Sequence, residues 1–352
     1  MIDVAAVLIG ATVTVLVVLR NALRPNKESR AVVAVGVVVG TAAFALALYD
    51  FRLLGFVVAI YWLGRWVRSL ARRLGRQGQG GGQGVVEPGV DRSAWPTSGP
   101  IGALVGQRGS MAVWTASQLL VLLNPWQVLE ICRQIVGNTI LADREERSRD
   151  DGRGYRTRAV YTLPFVGEWF VISGGHTRKT SHSWEVLGQR FALDFVQVNE
   201  GLERHTGRGT HPEEYFCYGE DILAAAEGTV VRVESGVRRA FLGWGFCDFR
   251  ARSFVGNHVL IEHAPEEFAL YAHLIRDSVT VMPGDRVERG QVLGRCGHTG
   301  HSSEPHLHFH LQDSADLFGG MGLPVRFSRL FVDGESADEV LLTAGNRVRP
   351  RP

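Results

Sequence analysis

The N-terminal fifth of the chain is dominated by apolar runs. Residues 2–19 are apolar apart from Asp3, close to the roughly 20 residues a spanning helix needs. Residues 31–49 form a second run without a charge, in which Gly40 interrupts without adding polarity. A buried core helix would show a polar face, so hydropathy predicts that this run inserts into a membrane. Residues 51–67 are apolar except for Arg52 and Arg65, with Tyr61, Trp62 and Trp66 placed like an interfacial belt. Arg65, Arg68, Arg72 and Arg76 then share one helical face, the pattern of a helix leaving a bilayer or lying on its surface. No basic segment precedes the first run and a second run follows at once, which argues against a cleaved signal peptide.

Residues 77–83 are almost pure Gly and Gln, and proline-bearing sequence continues to Pro100, as expected of a flexible tether. Beyond it, residues 111–123 are apolar but short. Asn124-Pro125 reads as a helix N-cap and first turn, with Val128, Ile131, Cys132 and Ile135 forming one stripe and Gly137 a stop. The charged residues 143–158 read as loop. From Ala159 onward the pattern changes to short alternating strands between Gly, Pro and Asp turns: 161–165, 169–173, 191–196, 228–234, 258–263 and 306–312. The expected fold class is an N-terminal α-helical transmembrane anchor followed by a C-terminal mainly-β domain. An antiparallel sheet or barrel-sandwich hybrid is expected rather than a βαβ arrangement. The expected organisation is an anchor of two or three transmembrane helices (1–76), a linker (77–100), a helical and charged connector (101–158), the β domain (159–335) and a tail (336–352).

Charge narrows the partners. The 38 basic and 36 acidic residues nearly cancel, so no strong field points to a nucleic acid. Cys132, Cys217, Cys247 and Cys296 include no CxxC pair, which excludes a zinc knuckle while leaving disulfides open to an exported domain.

Candidate chemistry concentrates in the β domain. In a strand, His306, His308 and His310 point to one face, beside a turn rich in Gly, Ser and His at 297–303. A catalytic zinc takes three protein ligands and keeps a fourth position open. Asp194 lies in an apolar strand, where an unpaired carboxylate would be costly unless a cation compensates it. His176 and His182 precede it in a polar loop, either able to complete the set, and His273 closes the segment Tyr271-Ala272-His273-Leu274.

Asp194, Tyr271-Ala272-His273-Leu274 and Pro305-His306-Leu307-His308-Phe309 resemble the ordered motifs of the lysostaphin/LytM-type zinc metallopeptidases. Residues 219–231 and 283–294 resemble the hairpins between those motifs, and the resemblance covers roughly residues 159–330. It implies a LytM-like metallopeptidase domain that binds Zn2+ through Asp194 and His308, with His273 and His306 as catalytic histidines. The family usually carries its first histidine four residues before the aspartate, where this chain has Arg190. A branch of the family places that histidine in an upstream loop before a Gln-Arg-aromatic-Ala-x-Asp strand. On that pattern the third ligand is His182 rather than His176.

The implied activity is hydrolysis of peptide bonds, cell-wall cross-links among them, by a zinc-activated water. A LytM-like scaffold that recruits other hydrolases is the alternative, resting on the Arg190 departure. The hairpin at 284–294 also resembles lipoyl and biotinyl carriers, but those need an acceptor lysine and no lysine follows Lys179. Membrane lipid and a peptide or cell-wall substrate are the expected partners. Arginine clusters after the first and third apolar runs favour a cytoplasmic domain by the positive-inside rule. A wall substrate favours two spans, an extracytoplasmic domain and a possible Cys217–Cys247 pair, which is the expectation adopted.

Overall fold

The computed structural model describes residues 92, 95–118, 121, 124–148, 154–240 and 248–352. The three N-terminal apolar runs and the Gly/Gln tether lie outside the described residues. No helix among the described residues is long and apolar enough to cross a membrane.

Two helices lead into the β domain. Helix α1 (Gly99–Ser117) is kinked at Gly106, whose φ is 68°. Helix α2 (Pro125–Ser148) begins as the sequence predicts, with Asn124 Oδ1 accepting from the Trp126 amide at 3.0 Å and Pro125 opening the first turn. It does not stop at Gly137, and residues 143–148 are helix rather than loop. The glycine serves a different purpose there. A Cβ at Gly137 would lie 1.9 Å from the Phe318 carbonyl oxygen, so the helix backbone packs directly on the 313–322 loop. Side chains beyond it hold the later turns in place: Asn138 bonds to Leu187 N and Glu185 O, Leu141 is buried, Arg144 pairs with Asp313 and Glu145 with Arg190.

The β domain is built on β1 (Trp169–Gly174), β2 (Leu193–Val196), β3 (Asp221–Leu223), β4 (Gly228–Glu234), β5 (Asn257–Ala264), β6 (Glu267–Leu274), β7 (Arg286–Val287), β8 (Val292–Arg295) and β9 (Leu307–Gln312). Six short strands follow: β10 (Gly322–Leu323), β11 (Arg326–Phe327), β12 (Leu330–Val332), β13 (Glu335–Ala337), β14 (Val340–Leu341) and β15 (Arg347–Pro350). The main sheet runs β13-β12-β15-β1-β2-β9-β6-β5-β4-β7, with β10 beside β9, and all its pairings are antiparallel. The C-terminal part is therefore a mainly-β antiparallel domain. The segment 161–165 is not one of its strands. Thr162 N and Pro164 O bond to Ala225 and Leu223, and the segment joins strand β11 only through a bridge at Tyr161.

Strand β9 explains where the core ends and chemistry begins. Leu307, Phe309 and Leu311 point into the main apolar core, where Phe309 meets Tyr271 at 5.1 Å and Phe327 at 5.8 Å between ring centroids. Burying a side chain of this size contributes about 1.5–3 kcal/mol. The alternate residues His308, His310 and Gln312 face the other way and are also buried. A buried polar face is tolerated only if its groups are hydrogen-bonded. Cys217 is a buried free thiol that donates to the Pro305 carbonyl, so the expected pairing with Cys247 is absent at Cys217; Cys247 itself lies outside the described residues.

At the far end of β6, the buried Glu267 carboxylate accepts from the Tyr155 and Tyr161 hydroxyls and from the backbone amides of Arg158 and Ala159. These bonds fasten the connector to the sheet. The carboxylate and burial push the Tyr155 hydroxyl up to about 12, desolvation being the larger cause.

Candidate metal centre

Adjacent strands place Asp194 directly opposite His308 in the β2–β9 register, and Ala272 of β6 flanks His308 on its other side. Cross-strand partners share a face, so the small Ala272 leaves space beside the imidazole. Asp194 Oδ1 lies 2.9 Å from His308 Nδ1 and 3.6 Å from His306 Nε2.

His182 arrives from a loop. The Ser181 hydroxyl donates to Arg190 O and the Ser183 hydroxyl to Gln189 O, so the residues on both sides of His182 are tied to the approach of β2. Arg190 secures the same loop from below. Its guanidinium makes a forked pair with Glu145 of α2, donates to Trp184 O and lies 4.8 Å over the Trp184 ring. His182 Nε2 thereby comes within 3.4 Å of Asp194 Oδ2, with 30% of its side chain still exposed. Ligand atoms of His182, Asp194 and His308 all fall within 4.8 Å of one another. His176 is in neither convergent group of the described residues, and its Nδ1 is buried without a hydrogen-bond partner.

A second convergent group joins His273, His306 and His308, again within 4.8 Å. Pleating alone would turn His273 away, since Ala272 already faces the cluster. The β5–β6 register sets Asn257 opposite Leu274 and His258 opposite Ala272, which makes His273 the extra residue of a β-bulge. Its φ of 65° is a left-handed conformation unusual for a residue with a side chain, and it swings the ring back to the polar face. His273 Nδ1 donates to Thr299 O at 2.8 Å. His306 Nδ1 donates to Glu304 O at 2.7 Å. In the tautomer these bonds select, Nδ1 carries the hydrogen and Nε2 is the position left to accept.

Electrostatics favour an ionised carboxylate at Asp194. Burial opposes ionisation of Asp194, yet His182, His306 and His308 outweigh it and hold its carboxyl well below the usual range. Desolvation first, then the other imidazoles, pushes His273 well down. His182 is lowered as well, by desolvation foremost. Burial takes His310 down to about 3. A cavity of about 440 Å³ lined by Pro96, Asn199, Arg204, His205 and Phe216 contains none of the five clustered residues. It touches them indirectly, because Arg204 pairs with Glu304, whose carbonyl holds His306.

The donor set fits zinc. Two imidazoles and one carboxylate are ordinary zinc ligands, and three of them leave the open position that a catalytic site keeps. A long sequence gap separates His182 from His308, so proximity of the two was not readable from spacing. The stitching by Ser181, Ser183 and Arg190 was likewise invisible, although Arg190 stood out as a departure.

An antiparallel β domain with a His/Asp cluster and two further imidazoles defines a candidate metallohydrolase centre. Residues 214–318 match the Peptidase family M23 profile. That stretch is similar to the domain of M23 peptidases. Peptidoglycan DD-endopeptidase ShyA of Vibrio cholerae is 39% identical over 208 residues, which cover 49% of this chain and 43% of ShyA. Glycyl-glycine endopeptidase ALE-1 of Staphylococcus capitis is 37% identical over 92 residues, 26% of this chain and 23% of ALE-1. Among solved structures, a zinc-containing peptidase from Vibrio cholerae shares 23% identity with a TM-score of 0.28, covering 44% of this chain and 36% of that one. The chain spans less than half the length of these curated relatives.

Proposed function

We propose that this chain is a membrane-anchored zinc metalloendopeptidase that hydrolyses peptide bonds, with cell-wall cross-links as its substrate class. The observation that carries the reading is the convergence of His182, Asp194 and His308 beside two imidazoles with free Nε2 atoms. His182, Asp194 and His308 are the proposed metal ligands. Zinc held there supplies Lewis acidity toward the scissile carbonyl and makes a water more acidic. His306 and His273 are the proposed catalytic residues. With Nδ1–H tied to a backbone carbonyl, each presents Nε2 as a proton acceptor. The ring that takes the proton of the attacking water becomes an N–H donor and can pass that proton to the departing amine. Its transient N–H also stabilises the developing oxyanion, a contribution on the order of 3 kcal/mol.

Arg190 does not argue for a scaffold devoid of metal, because His182 reaches Asp194 from the loop while Arg190 is engaged by Glu145. The relatives that are endopeptidases of peptidoglycan or glycyl-glycine bonds support the substrate class. Residues 1–76 are proposed as the anchor, with two spans and the domain outside the cytoplasm, where a wall substrate lies. Elemental analysis of the purified chain should give near one zinc per chain. His273→Ala and His306→Ala should keep that zinc while abolishing cleavage of cross-linked peptidoglycan. Absence of zinc from the unmodified protein would sink the reading. Protease added to intact cells should release the domain; protection until lysis would place it inside.

A further inference from the structure

The buried polar face of β9 continues past the proposed ligand His308 as a line of hydrogen bonds. His308 Nε2 lies 2.9 Å from His310 Nδ1, and His310 Nε2 lies 3.0 Å from Gln312 Oε1. The Gln312 amide nitrogen faces two backbone carbonyls, Ser314 O at 2.5 Å and Asp316 O at 2.9 Å. His308, His310 and Gln312 are 6%, 2% and 0% exposed, so solvent does not compete for these bonds.

The direction of every hydrogen in this line follows from its far end. Carbonyl oxygens only accept, so the Gln312 side-chain nitrogen must be the group that faces them. Its two hydrogens are then used, and Oε1 is left pointing at His310. An oxygen acceptor requires that His310 Nε2 carry a hydrogen. A neutral imidazole has one N–H, so His310 Nδ1 is an acceptor, and the facing His308 Nε2 must be the donor. His308 Nδ1 is left with its lone pair directed at Asp194 Oδ1, 2.9 Å away. Two acceptors at that separation call for a cation between or beside them.

We propose that His310 and Gln312 are positioning residues that lock His308 in the Nε2–H tautomer, presenting Nδ1 to the metal. The inference rests on the reading of His308 as a ligand. The anchor of the line is the 313–322 loop. That loop closes on itself through Asp313 and Met321, and packs on α2 through the Gly137–Phe318 contact and the Arg144–Asp313 pair. Gly320 leaves room for the amide: a Cβ there would lie 2.8 Å from Gln312 Nε2. Metal-binding histidines generally donate their second N–H to a fixed acceptor, and loss of that acceptor costs about 10–100-fold in metal affinity. Here the acceptor is a third imidazole, held in turn by an amide.

Zinc affinity of the full chain, measured by competition with a chromophoric chelator, tests the proposal together with the melting temperature of the metal-free protein. His310→Leu removes the acceptor and should weaken zinc binding by about 10–100-fold. His310→Gln offers a carbonyl to His308 and an amide to Gln312, and should restore binding to within about threefold of the unmodified chain. Cobalt substituted for zinc should show an altered visible absorption in His310→Leu and a near-native one in His310→Gln. Should His310→Leu fail to fold, Gln312→Leu decides, with weakened zinc binding expected. Equal affinity in the unmodified chain and the His310→Leu or Gln312→Leu variant would overturn the relay and leave the metallopeptidase reading standing. So would a His310→Gln variant as weak as His310→Leu. A chain that binds no zinc in any form would overturn both.

Discussion

The candidate metal centre has two halves that are held by different means. Asp194 and His308 sit on neighbouring strands, and their separation is fixed by the β2–β9 ladder and by the core beneath Phe309. His182 sits on a loop, and its place is fixed by two serine hydroxyls, a tryptophan and the Arg190–Glu145 pair. The strand half cannot be disturbed without disturbing the sheet. The loop half can be loosened while the sheet stays intact, so the proposed metal binding predicts that affinity for the metal and stability of the fold are separable in this chain.

The harshest test removes proposed ligands from each half. Asp194→Ala, His308→Ala and His182→Ala should each lose stoichiometric zinc and lower turnover on the order of 10³-fold or more. Retained zinc in His182→Ala alone would transfer the third position to another residue, His176 first among them. Core damage comes next. Phe309→Ala should cost about 3–5 kcal/mol of stability in denaturant melts, whereas Trp184→Ala should cost about 1 kcal/mol and show itself chiefly in weaker zinc binding. Comparable losses of stability would erase the distinction between the halves.

Arg190 offers a finer probe. Arg190→Ala should weaken zinc about tenfold with little loss of cleavage at saturating metal, because the loop is loosened rather than emptied. Adding Arg190→His to His182→Ala asks whether a strand-borne histidine can replace the loop-borne one; recovered zinc would show that the two positions reach one site. The smallest effect concerns acid. Burial lowers His301 and His263 to about 4, from about 6.5 in an unfolded chain. Between pH 6.5 and 4 the unfolded chain therefore binds protons that the folded one refuses, and stability falls with pH. Below about 4 the folded form also takes them and this loss levels off. The metal-free melting temperature should fall across that window. Neither residue touches either half of the site, so His301→Gln should flatten the slope without altering zinc affinity at neutral pH.

The strand half was legible in the sequence. His-x-His is a period-2 signal, and an aspartate in an apolar run announces a compensated charge. Strand boundaries for β1, β4, β5 and β9 follow from the same alternation. The loop half was legible only as a choice between His176 and His182, since no periodicity fixes a loop. Helix α2 was found but cut short: Gly137 has the appearance of a C-cap until Phe318 occupies the space its side chain would fill. The conformation of His273 was hidden too, because a bulge depends on the register of two strands and not on either alone. His310 could be placed on the right face, but its hydrogen-bond direction depends on carbonyls of a loop whose path the sequence does not reveal.

The strand order carries a kinetic meaning. Strand β9 lies in the interior of the sheet, with four strands on one side and five on the other before an edge is reached. Both edges are short: β7 has two residues and β13 three. Fraying begins at such edges and at termini, where opening is cheap in free energy. Backbone amides of β9 should therefore be among the last in the domain to exchange with deuterium, and they become accessible only when the whole sheet opens. Partial unfolding at the rim would leave the proposed ligands Asp194 and His308 paired, so the site persists through fluctuations that expose the outer strands to proteolysis.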